Sequence, residues 1–476
     1  MLSHLFLFKK GEIGLNSKLE QYIKDKYDNQ SDWFVEEVQS VSNQQRILDV
    51  INKKEYLNGK HKILQRESYK YNGKEFHPRK IILQYAKTLL NFQQNYLLGN
   101  PITLTGNEKV VKEYQRVNRK GKYDRINQKI LDKVLKFGQV AEYVYLDNGI
   151  IKSKLIDPSE GFPVYDFENN LIAFVEAFIN DGITYYNVFN GDSVEQYSDE
   201  GGNLKLIDRK VSLSGLPIIY HNVNELSEVE GKSDLDDWIS ILDGLEDILS
   251  KYMDATYKFI DPIFIIQGQS LHGEPFPSDV IGKGINLDDA ADAKYVTNQL
   301  DHKSFEIVFK TLLQSLLDIA QVPAVSMNKT DISNLSEVSI RLLFSLANVK
   351  AGINEQFMRE GIEQRYDKIR KLLELQGIVF NEDEYETLDF VFHYNMPSND
   401  KEVIENLQML NNMGAISLET ILAKNPYVND VNTELKRLKE NSMGNNSGNN
   451  FVNNNGNVNN NQIVDTVDNV DNSKNN

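Results

Sequence analysis

A long run of regularly spaced apolar residues near the C-terminal end constrains the fold of this chain most strongly. Over residues 335–376, apolar side chains such as Leu342, Leu346 and Val349 recur about every 3.6 residues, the spacing that places them on one face of an α-helix. At about 1.5 Å per residue, a helix of about 40 residues would be roughly 60 Å long. One chain cannot cover such a face along its whole length, so we expect an elongated subunit that packs against neighbouring subunits.

The rest of the chain changes from helical to strand-rich patterns and back. Apolar stripes predict helices over residues 17–27, 31–52, 78–98, 125–137, 233–259 and 303–320. Short alternating segments, separated by turns that contain Asn or Gly, predict strands over residues 141–146, 150–156, 171–179, 184–189, 193–197 and 204–207. This series is typical of a meander of antiparallel hairpins. Strands over 263–266 and 388–394 and two short helices complete an α+β fold that is mainly helical.

The charge balance and the absence of cysteine exclude several classes of function. The 476 residues, enough for two to four domains, include 52 Lys and Arg against 69 Asp and Glu, a net charge of −17. A protein that holds nucleic acid by neutralising phosphates is usually basic. Without cysteine the chain can form no disulfide, thiolate metal site or cysteine nucleophile, which fits assembly inside a cell.

Neither a membrane span nor an export signal is expected. No apolar run reaches the roughly 18 residues that a spanning helix needs. The first ten residues place apolar side chains before two lysines, which is the reverse of the order in a secretory signal.

The end of the chain has the composition of a disordered segment. Of the 36 residues in 441–476, 16 are Asn, with scattered Gly and Ser and no apolar period. Such a segment cannot bury enough apolar surface to offset the entropy lost on ordering. An Asn-rich tract can also pair as β-structure and aggregate, but here Gly and Asp interrupt it.

Local motifs for catalysis are absent from the sequence. None of the Gly-Lys pairs has the Gly five residues earlier that a phosphate-binding P-loop requires, and there is no Gly-x-Ser-x-Gly elbow, His-Glu-x-x-His helix or EF-hand loop. Acidic clusters at 234–237 and 288–292 could hold a metal ion, although a solvated helix N-terminus, which the helix dipole favours, is the preferred explanation for such carboxylates. We therefore expect no enzymatic activity, cofactor or metal; an enzyme whose site assembles from distant residues is the alternative.

Several short motifs, taken in order, resemble the portal or head–tail connector proteins of tailed bacteriophages, of the type found in siphophages of Gram-positive hosts. The likeness extends over roughly residues 50 to 440. The motifs are Tyr-Leu-Asn-Gly-Lys-His at 56–61, Asn-Tyr-Leu-Leu-Gly-Asn-Pro-Ile at 95–102, Gly-Leu-Pro at 215–217 with His-Asn at 221–222, Gly-Lys-Ser-Asp-Leu at 231–235 with Ile-Leu-Asp at 241–243, Met-Gly-Ala-Ile-Ser-Leu-Glu-Thr at 413–420, and Asn-Pro-Tyr-Val-Asn-Asp at 425–430.

This resemblance implies a homo-oligomeric ring, usually dodecameric, at one vertex of a capsid. Double-stranded DNA would pass through the ring without sequence preference, driven in by the terminase large subunit during packaging and released at ejection. Major capsid and scaffold proteins, a head-completion adaptor and the tail would bind to it, in a virion assembled in the host cytoplasm. The alternative is a capsid-associated interaction scaffold without a channel. Residues 267–301 match no motif of the family, so the resemblance assigns no residue to terminase or adaptor contacts.

The resemblance also implies a portal-type subunit with a wing, stem, clip and crown. In chain order its regions are a helical and hairpin wing over 1–232, a first stem helix over 233–260, a clip over 261–301, a second stem helix over 302–320, a tunnel loop over 321–334, the long wing helix over 335–376, a crown over 377–440 and the Asn-rich tail over 441–476.

The tunnel loop carries the residues that the resemblance assigns to the DNA channel: Ser326, Asn328, Lys329, Thr330 and Asp331. Lys329 is the only basic residue in 324–333, and a ring would repeat it as a belt of positive charge that centres a duplex. The alternative for Lys329 is a solvated loop lysine without a role. Acidic side chains along the rest of the channel wall would not bind the phosphates of the DNA and would therefore let the DNA slide.

We predict that deleting residues 441–476 leaves assembly intact, because a disordered segment contributes nothing to a core. Limited proteolysis of the purified protein, followed by mass spectrometry, should show the first cuts in this segment. Resistance of the segment to protease would contradict the prediction.

Overall fold

The computed structural model describes residues 17–71, 74–259, 263–267, 292–296, 301–324, 336–428 and 431–444. The chain divides into two compact units, residues 1–397 and 398–476. Among the helices that the structure describes, none combines the length and the apolar character needed to cross a membrane.

The described part of the first unit starts with three helices, α1 over 17–27, α2 over Trp33–Gln39 and α3 over Val41–Leu57. The single helix predicted over 31–52 is wrong, because Ser40 adopts φ −57° and ψ 147° and separates α2 from α3. Phe34 of α2 is buried against Tyr186 and Tyr197 of the following sheet, with ring centroids 5.4 and 4.7 Å away. These helices therefore cover one face of that sheet.

Three further helices follow: α4 over Tyr85–Leu98, α5 over Glu108–Gly121 and α6 over Tyr123–Phe137. The helix predicted to start at residue 78 starts at Tyr85, since residues 77–83 are not helical. Helix α5 was not predicted at all, although Val110, Tyr114 and Val117 form its buried face. Lys122 separates α5 from α6 in the left-handed conformation, with φ 58°.

The strand-rich region forms two antiparallel sheets. The small strands β1, Tyr69–Tyr71, and β2, Lys74–Phe76, pair with each other, and β3, Thr103–Thr105, lies before α5. The main strands are β4 Gln139–Asp147, β5 Ile150–Ile156, β6 Gly161–Tyr165, β7 Leu171–Asn180, β8 Ile183–Phe189, β9 Ser193–Ser198, β10 Lys205–Val211 and β11 Ile218–His221.

The sheet order is β10-β9-β8-β7-β6 in one sheet and β11-β4-β5 in the other. All six predicted strands are present, but the meander does not continue through one sheet. Strand β11, which was not predicted, returns to pair with β4, with Ile218 opposite Glu142. This long-range pairing forms the three-stranded sheet on which the helices of the main core pack.

The last part of the first unit contains a pair of helices, α7 over Leu235–Phe259 and α8 over His302–Ile319. Strands β12, Ile263–Gln267, and β13, Asp292–Val296, pair antiparallel between them in sequence. Helices α9, Glu337–Leu343, α10, Ser345–Leu375, and α11, Glu382–Tyr385, follow, and strand β14, Asp389–Val391, pairs with β3.

The single helix of about 40 residues predicted over 335–376 is two helices. Phe344 interrupts it with φ −94° and ψ 7°, and α10 alone has 31 residues, about 46 Å. The Phe344 ring is buried and stacks on Tyr96 of α4, with centroids 5.9 Å apart. The break coincides with the burial of this ring against α4, and tertiary packing that overrides the helical pattern at Phe344 is its physical reason.

A buried charge network holds the core of the first unit together. The Arg365 side chain of α10 donates from Nε to Glu142 Oε2 at 2.9 Å, from Nη1 to Asn127 Oδ1 at 2.6 Å and from Nη2 to Tyr220 Oη at 2.9 Å. The Tyr220 hydroxyl donates in turn to Glu142 Oε2 at 2.7 Å. Both Arg365 and Glu142 are inaccessible to solvent, and together these four residues connect α6, β4, β11 and α10.

The described part of the second unit contains three helices, α12 over Asp400–Asn412, α13 over Leu418–Lys424 and α14 over Val431–Gly444. Two short helices had been predicted after the last strand. Ser417 caps α13, its Oγ accepting a hydrogen bond from the Thr420 N–H at 3.3 Å. Helix α14 includes the first four residues of the segment predicted to be disordered, and residues 445–476 lie outside the described residues.

We predict that Gly361→Ala destabilises the first unit, whereas Gly352→Ala on the same helix does not. A Cβ at Gly361 would lie 2.1 Å from Cε1 of Tyr220, but at Gly352 its nearest neighbour would be the Tyr394 hydroxyl at 3.8 Å. Overpacking of this kind costs about 1–3 kcal/mol, while Ala in place of an unconstrained helical Gly gains up to about 1 kcal/mol. In thermal unfolding, the midpoint temperature of Gly361→Ala should be lower than that of Gly352→Ala. Equal midpoints for the two variants would contradict the close packing at Gly361.

Candidate channel segment and subunit interface

The five residues predicted to line a channel, Ser326, Asn328, Lys329, Thr330 and Asp331, lie outside the described residues. They belong to residues 325–335, which we call the candidate channel segment. The structure describes the chain on both sides of this segment. It follows α8 through Val322, Pro323 and Ala324, and it leads into α9 at Ser336. The Ser336 Oγ accepts a hydrogen bond from the Ser339 N–H at 3.2 Å and so caps α9.

Helix α4 anchors both of these ends. On one side, Nε2 of Gln93 donates to the backbone carbonyl of Ala320 at 3.0 Å, and both residues are buried. On the other side, Tyr96 stacks on Phe344, and its hydroxyl donates to Asn348 Oδ1 at 2.5 Å. The two ends of the candidate channel segment are therefore fixed to one rigid element.

The paired helices α7 and α8 pack through aromatic side chains near the end of α7. Tyr252 and Phe305 stack with ring centroids 3.8 Å apart and an interplanar angle of 13°. The Tyr252 hydroxyl also hydrogen-bonds Nδ1 of His302, the first residue of α8. Further along α8, Leu316 is completely buried, so α8 is fixed at both of its ends.

An extended segment, residues 77–84, lies along α7, and we call it the strap. Its backbone N–H groups donate to side chains that recur every fourth residue of α7. The pairs are Leu83 N to Glu246 Oε1 at 2.8 Å, Ile81 N to Ser250 Oγ at 3.0 Å and Arg79 N to Asp254 Oδ1 at 2.8 Å.

The spacing explains why this segment is not the helix that its apolar pattern suggested. Two residues of extended chain rise about 6.6 Å, close to the roughly 6.0 Å of four helical residues. Alternate N–H groups of the strap can therefore meet successive turns of α7. The Glu-x-x-x-Ser-x-x-x-Asp spacing on α7 was the available sequence signal, and only the fold shows what it binds.

The strap is reinforced at its two ends. Arg66 Nη2 lies 3.1 Å from Asp254 Oδ2, and the Arg79 guanidinium lies 4.1 Å from the centre of the Tyr257 ring. At the other end, Nδ1 of His61 and Oε1 of Glu246 are hydrogen-bonded at 2.7 Å, and both side chains are buried. Burial raises the pKa of the Glu246 carboxyl above its usual range. His61 itself stacks on Tyr56, 3.9 Å between ring centroids.

An apolar stripe crosses from α9 to α10 on the solvent side. Its residues share large, exposed aliphatic side chains: Val338 at 63%, Leu342 at 70%, Leu346 at 49% and Val349 at 54% exposure. The opposite face of the same helices is buried through Ile340, Phe344, Ala347 and Ala351. The sequence predicted that these apolar residues need a partner outside one subunit, and in the single chain the stripe is uncovered.

The acidic cluster at the start of α7 is occupied by ion pairs and hydrogen bonds. Asp234 Oδ1 lies 2.9 Å from Lys350 Nζ and 2.7 Å from Asn222 Nδ2. Each of the other two carboxylates pairs with one lysine. Asp236 Oδ1 lies 2.8 Å from Lys53 Nζ, and Asp237 Oδ1 lies 2.7 Å from Lys232 Nζ. In the part of the chain that the structure describes, no group of three His or acidic side chains could hold a metal ion. Residues 288 and 289 of the second cluster lie outside that part.

Comparison with known proteins identifies relatives over most of the chain. The family described as phage portal protein, SPP1 Gp6-like, matches residues 41–447. The portal protein of Bacillus phage SPP1 is 22% identical over 386 residues, which cover 75% of each protein. Among solved structures, a subunit in the neck of an empty gene transfer agent particle covers 70% of this chain and 86% of its own, with 8% identity and a TM-score of 0.45. A chain of the native gene transfer agent virion has 10% identity and a TM-score of 0.43, covering 70% and 87%.

We predict that Leu342→Asp yields a folded chain that no longer self-associates. The side chain is exposed in the single chain, so the carboxylate harms only a surface that another subunit would bury. Leu316→Asp, by contrast, places a charge in the core and should prevent folding. Analytical ultracentrifugation with circular dichroism separates the two results.

The control for this prediction is Leu342→Met, which keeps an apolar side chain of similar volume and should assemble normally. Normal assembly of Leu342→Asp would show that the stripe is not a contact between subunits.

Proposed function

Because the chain belongs to the SPP1 Gp6-like family of phage portal proteins, it is a portal protein, and we propose that it assembles into a ring of about twelve subunits that conducts DNA. The match over residues 41–447, most of the chain, is the observation that carries this conclusion. The family is a structural, non-enzymatic one. The ring would occupy one capsid vertex, where the genome enters during packaging and leaves at ejection.

The apolar stripe supports self-association as the mode of assembly. Fully burying an aliphatic side chain contributes about 1.5–3 kcal/mol, so four of them per subunit can stabilise a contact between copies. The stripe begins at α9, the first described helix after the candidate channel segment. A second copy of this chain as the partner would therefore place subunit contacts close to the channel.

The fold is compatible with the regions that the family resemblance implies. We assign residues 1–232 to the wing, 233–260 and 302–320 to the stem, 261–301 to the clip, 321–334 to the tunnel loop, 335–376 to the second part of the wing and 377–440 to the crown. The packing of α7 on α8 supports the stem, and the β12–β13 pair lies where the clip is proposed.

The proposed partners follow from the same role. The terminase large subunit would dock during packaging, major capsid and scaffold proteins would surround the ring during assembly in the host cytoplasm, and a head-completion adaptor would join it to the tail. We also propose that Ser326, Asn328, Lys329, Thr330 and Asp331 face the DNA. The anchoring of both ends of their segment on α4 supports this role, since a loop that contacts a moving duplex needs a rigid base.

We predict that Lys329→Glu lowers the yield of DNA-filled particles without affecting assembly. A ring would repeat the reversal in every subunit and replace a belt that attracts phosphates with one that repels them. The defect should change with Mg²⁺ or polyamine concentration, as screening requires. Packaged DNA in infected cells is the measurement, with Lys329→Arg, which keeps the charge, as the control.

The proposed role of the loop charge and the proposed ring can each be contradicted by a separate result. Full genomes packaged at the normal rate by Lys329→Glu phage would show that the charge of the loop is irrelevant. Negative-stain images of the wild-type protein should show rings with a central hole, and uniform monomers would contradict the ring itself.

A further inference from the structure

Helices α5 and α6 carry the opposite charge from the chain as a whole. Residues 108–136 contain ten Lys or Arg against four Asp or Glu, a net charge of +6 in a chain whose net charge is −17. The acidic total therefore hides a local excess of positive charge. That excess lies outside the segment proposed to line the channel.

Six of these basic side chains are exposed and unpaired, and together we call them the basic surface: Lys112, Arg119, Lys120, Lys122, Arg125 and Lys129. None has an ion-pair partner among the residues that the structure describes. Their neighbours differ, because Lys109 pairs with Glu384 at 3.0 Å and Arg116 with Glu113 at 2.6 Å. The basic surface thus keeps charges that the fold itself does not neutralise.

The basic surface is made of cations from the exposed sides of two consecutive helices. On α5, Lys112, Arg119 and Lys120 are separated by seven and eight residues, two helical turns, and so share one face over about 12 Å. The opposite face, with Val110 and Tyr114, is buried.

The surface continues from α5 onto α6. Lys122 lies at the left-handed turn between the helices. On α6, Arg125 and Lys129 are one turn apart and therefore lie on the same side of that helix.

The chemistry of the surface selects the class of partner. No large apolar side chain of α5 or α6 is exposed, whereas protein interfaces need an apolar or aromatic centre that can be desolvated. Six long, unpaired cations instead suit a dense array of anions. Duplex DNA presents one phosphate charge per about 1.7 Å of its axis.

We propose that the basic surface binds the phosphate backbone of double-stranded DNA, without sequence preference and outside the channel. This inference rests on the proposed function, because a portal works in contact with a packaged genome. The acidic remainder of the chain repels DNA, so it restricts binding to this face. Each subunit of a ring would contribute one such surface.

The experiment uses the full-length assembled protein and relaxed, covalently closed circular DNA, which cannot thread a closed ring. Binding is measured by filter retention at several NaCl concentrations. The test variant is the triple Lys112→Gln, Arg119→Gln and Lys120→Gln. The control triple is Lys60→Gln, Lys210→Gln and Lys401→Gln, which removes the same charge from exposed lysines that are paired with Glu55, Asp208 and Glu405.

At low salt, the test triple should bind circular DNA more than tenfold more weakly than the wild type. The slope of log affinity against log salt should decrease in magnitude by about one for each phosphate that is no longer neutralised. The control triple should bind circular DNA like the wild type. Either of two results would overturn the proposal: no binding of circular DNA by the wild type, or binding by the test triple that equals that of the wild type.

Failure here is distinguishable from failure of the proposed function. Negative-stain images of the same samples report ring formation independently of DNA binding. Intact rings without binding to circular DNA would overturn only the basic surface, and monomers in the wild type would overturn the ring.

Discussion

The ion pair between Arg365 and Glu142 is the interaction on which the arrangement of the first unit depends. Breaking a fully buried pair by removing one partner costs about 3–5 kcal/mol, because the other charge is left without compensation. The Arg365 guanidinium donates to Glu142 Oε2, Asn127 Oδ1 and Tyr220 Oη at once. Helix α10 can therefore occupy only one position against α6 and the three-stranded sheet, and that position decides where α9 and the apolar stripe lie.

A second cation, which is partly buried, extends this control along α10. Nζ of Lys368 donates to the backbone carbonyls of Ser214 and Leu216, both at 2.7 Å, and burial lowers the pKa of this lysine to about 8. The loop before β11 is thus attached to the same helix that Tyr220 of β11 contacts. Polar groups inside the core specify the positions of elements that apolar packing alone would leave free to slide.

The sequence predicted what local chemistry decides. The turns between strands and the two helices α7 and α8 follow from Gly and Asn positions and apolar periods. It failed where distant residues decide: Glu246, Ser250 and Asp254 hold the strap extended, Tyr96 and Phe344 separate α9 from α10, and β11 closes on β4. The candidate channel residues came from family resemblance. The excess of Lys and Arg over residues 108–136 is visible in the sequence, but only the fold shows which of these side chains stay exposed and unpaired.

The ladder between the strap and α7 has a mechanical consequence. Its three hydrogen bonds, from Leu83, Ile81 and Arg79, lie side by side along the helix axis. A force along that axis would load all three in shear at the same time, whereas a force across it would peel them one after another. The joint is therefore stiff in one direction and compliant in the other. A load directed along α7 would pass into the segment that leads to α4 before the joint yields.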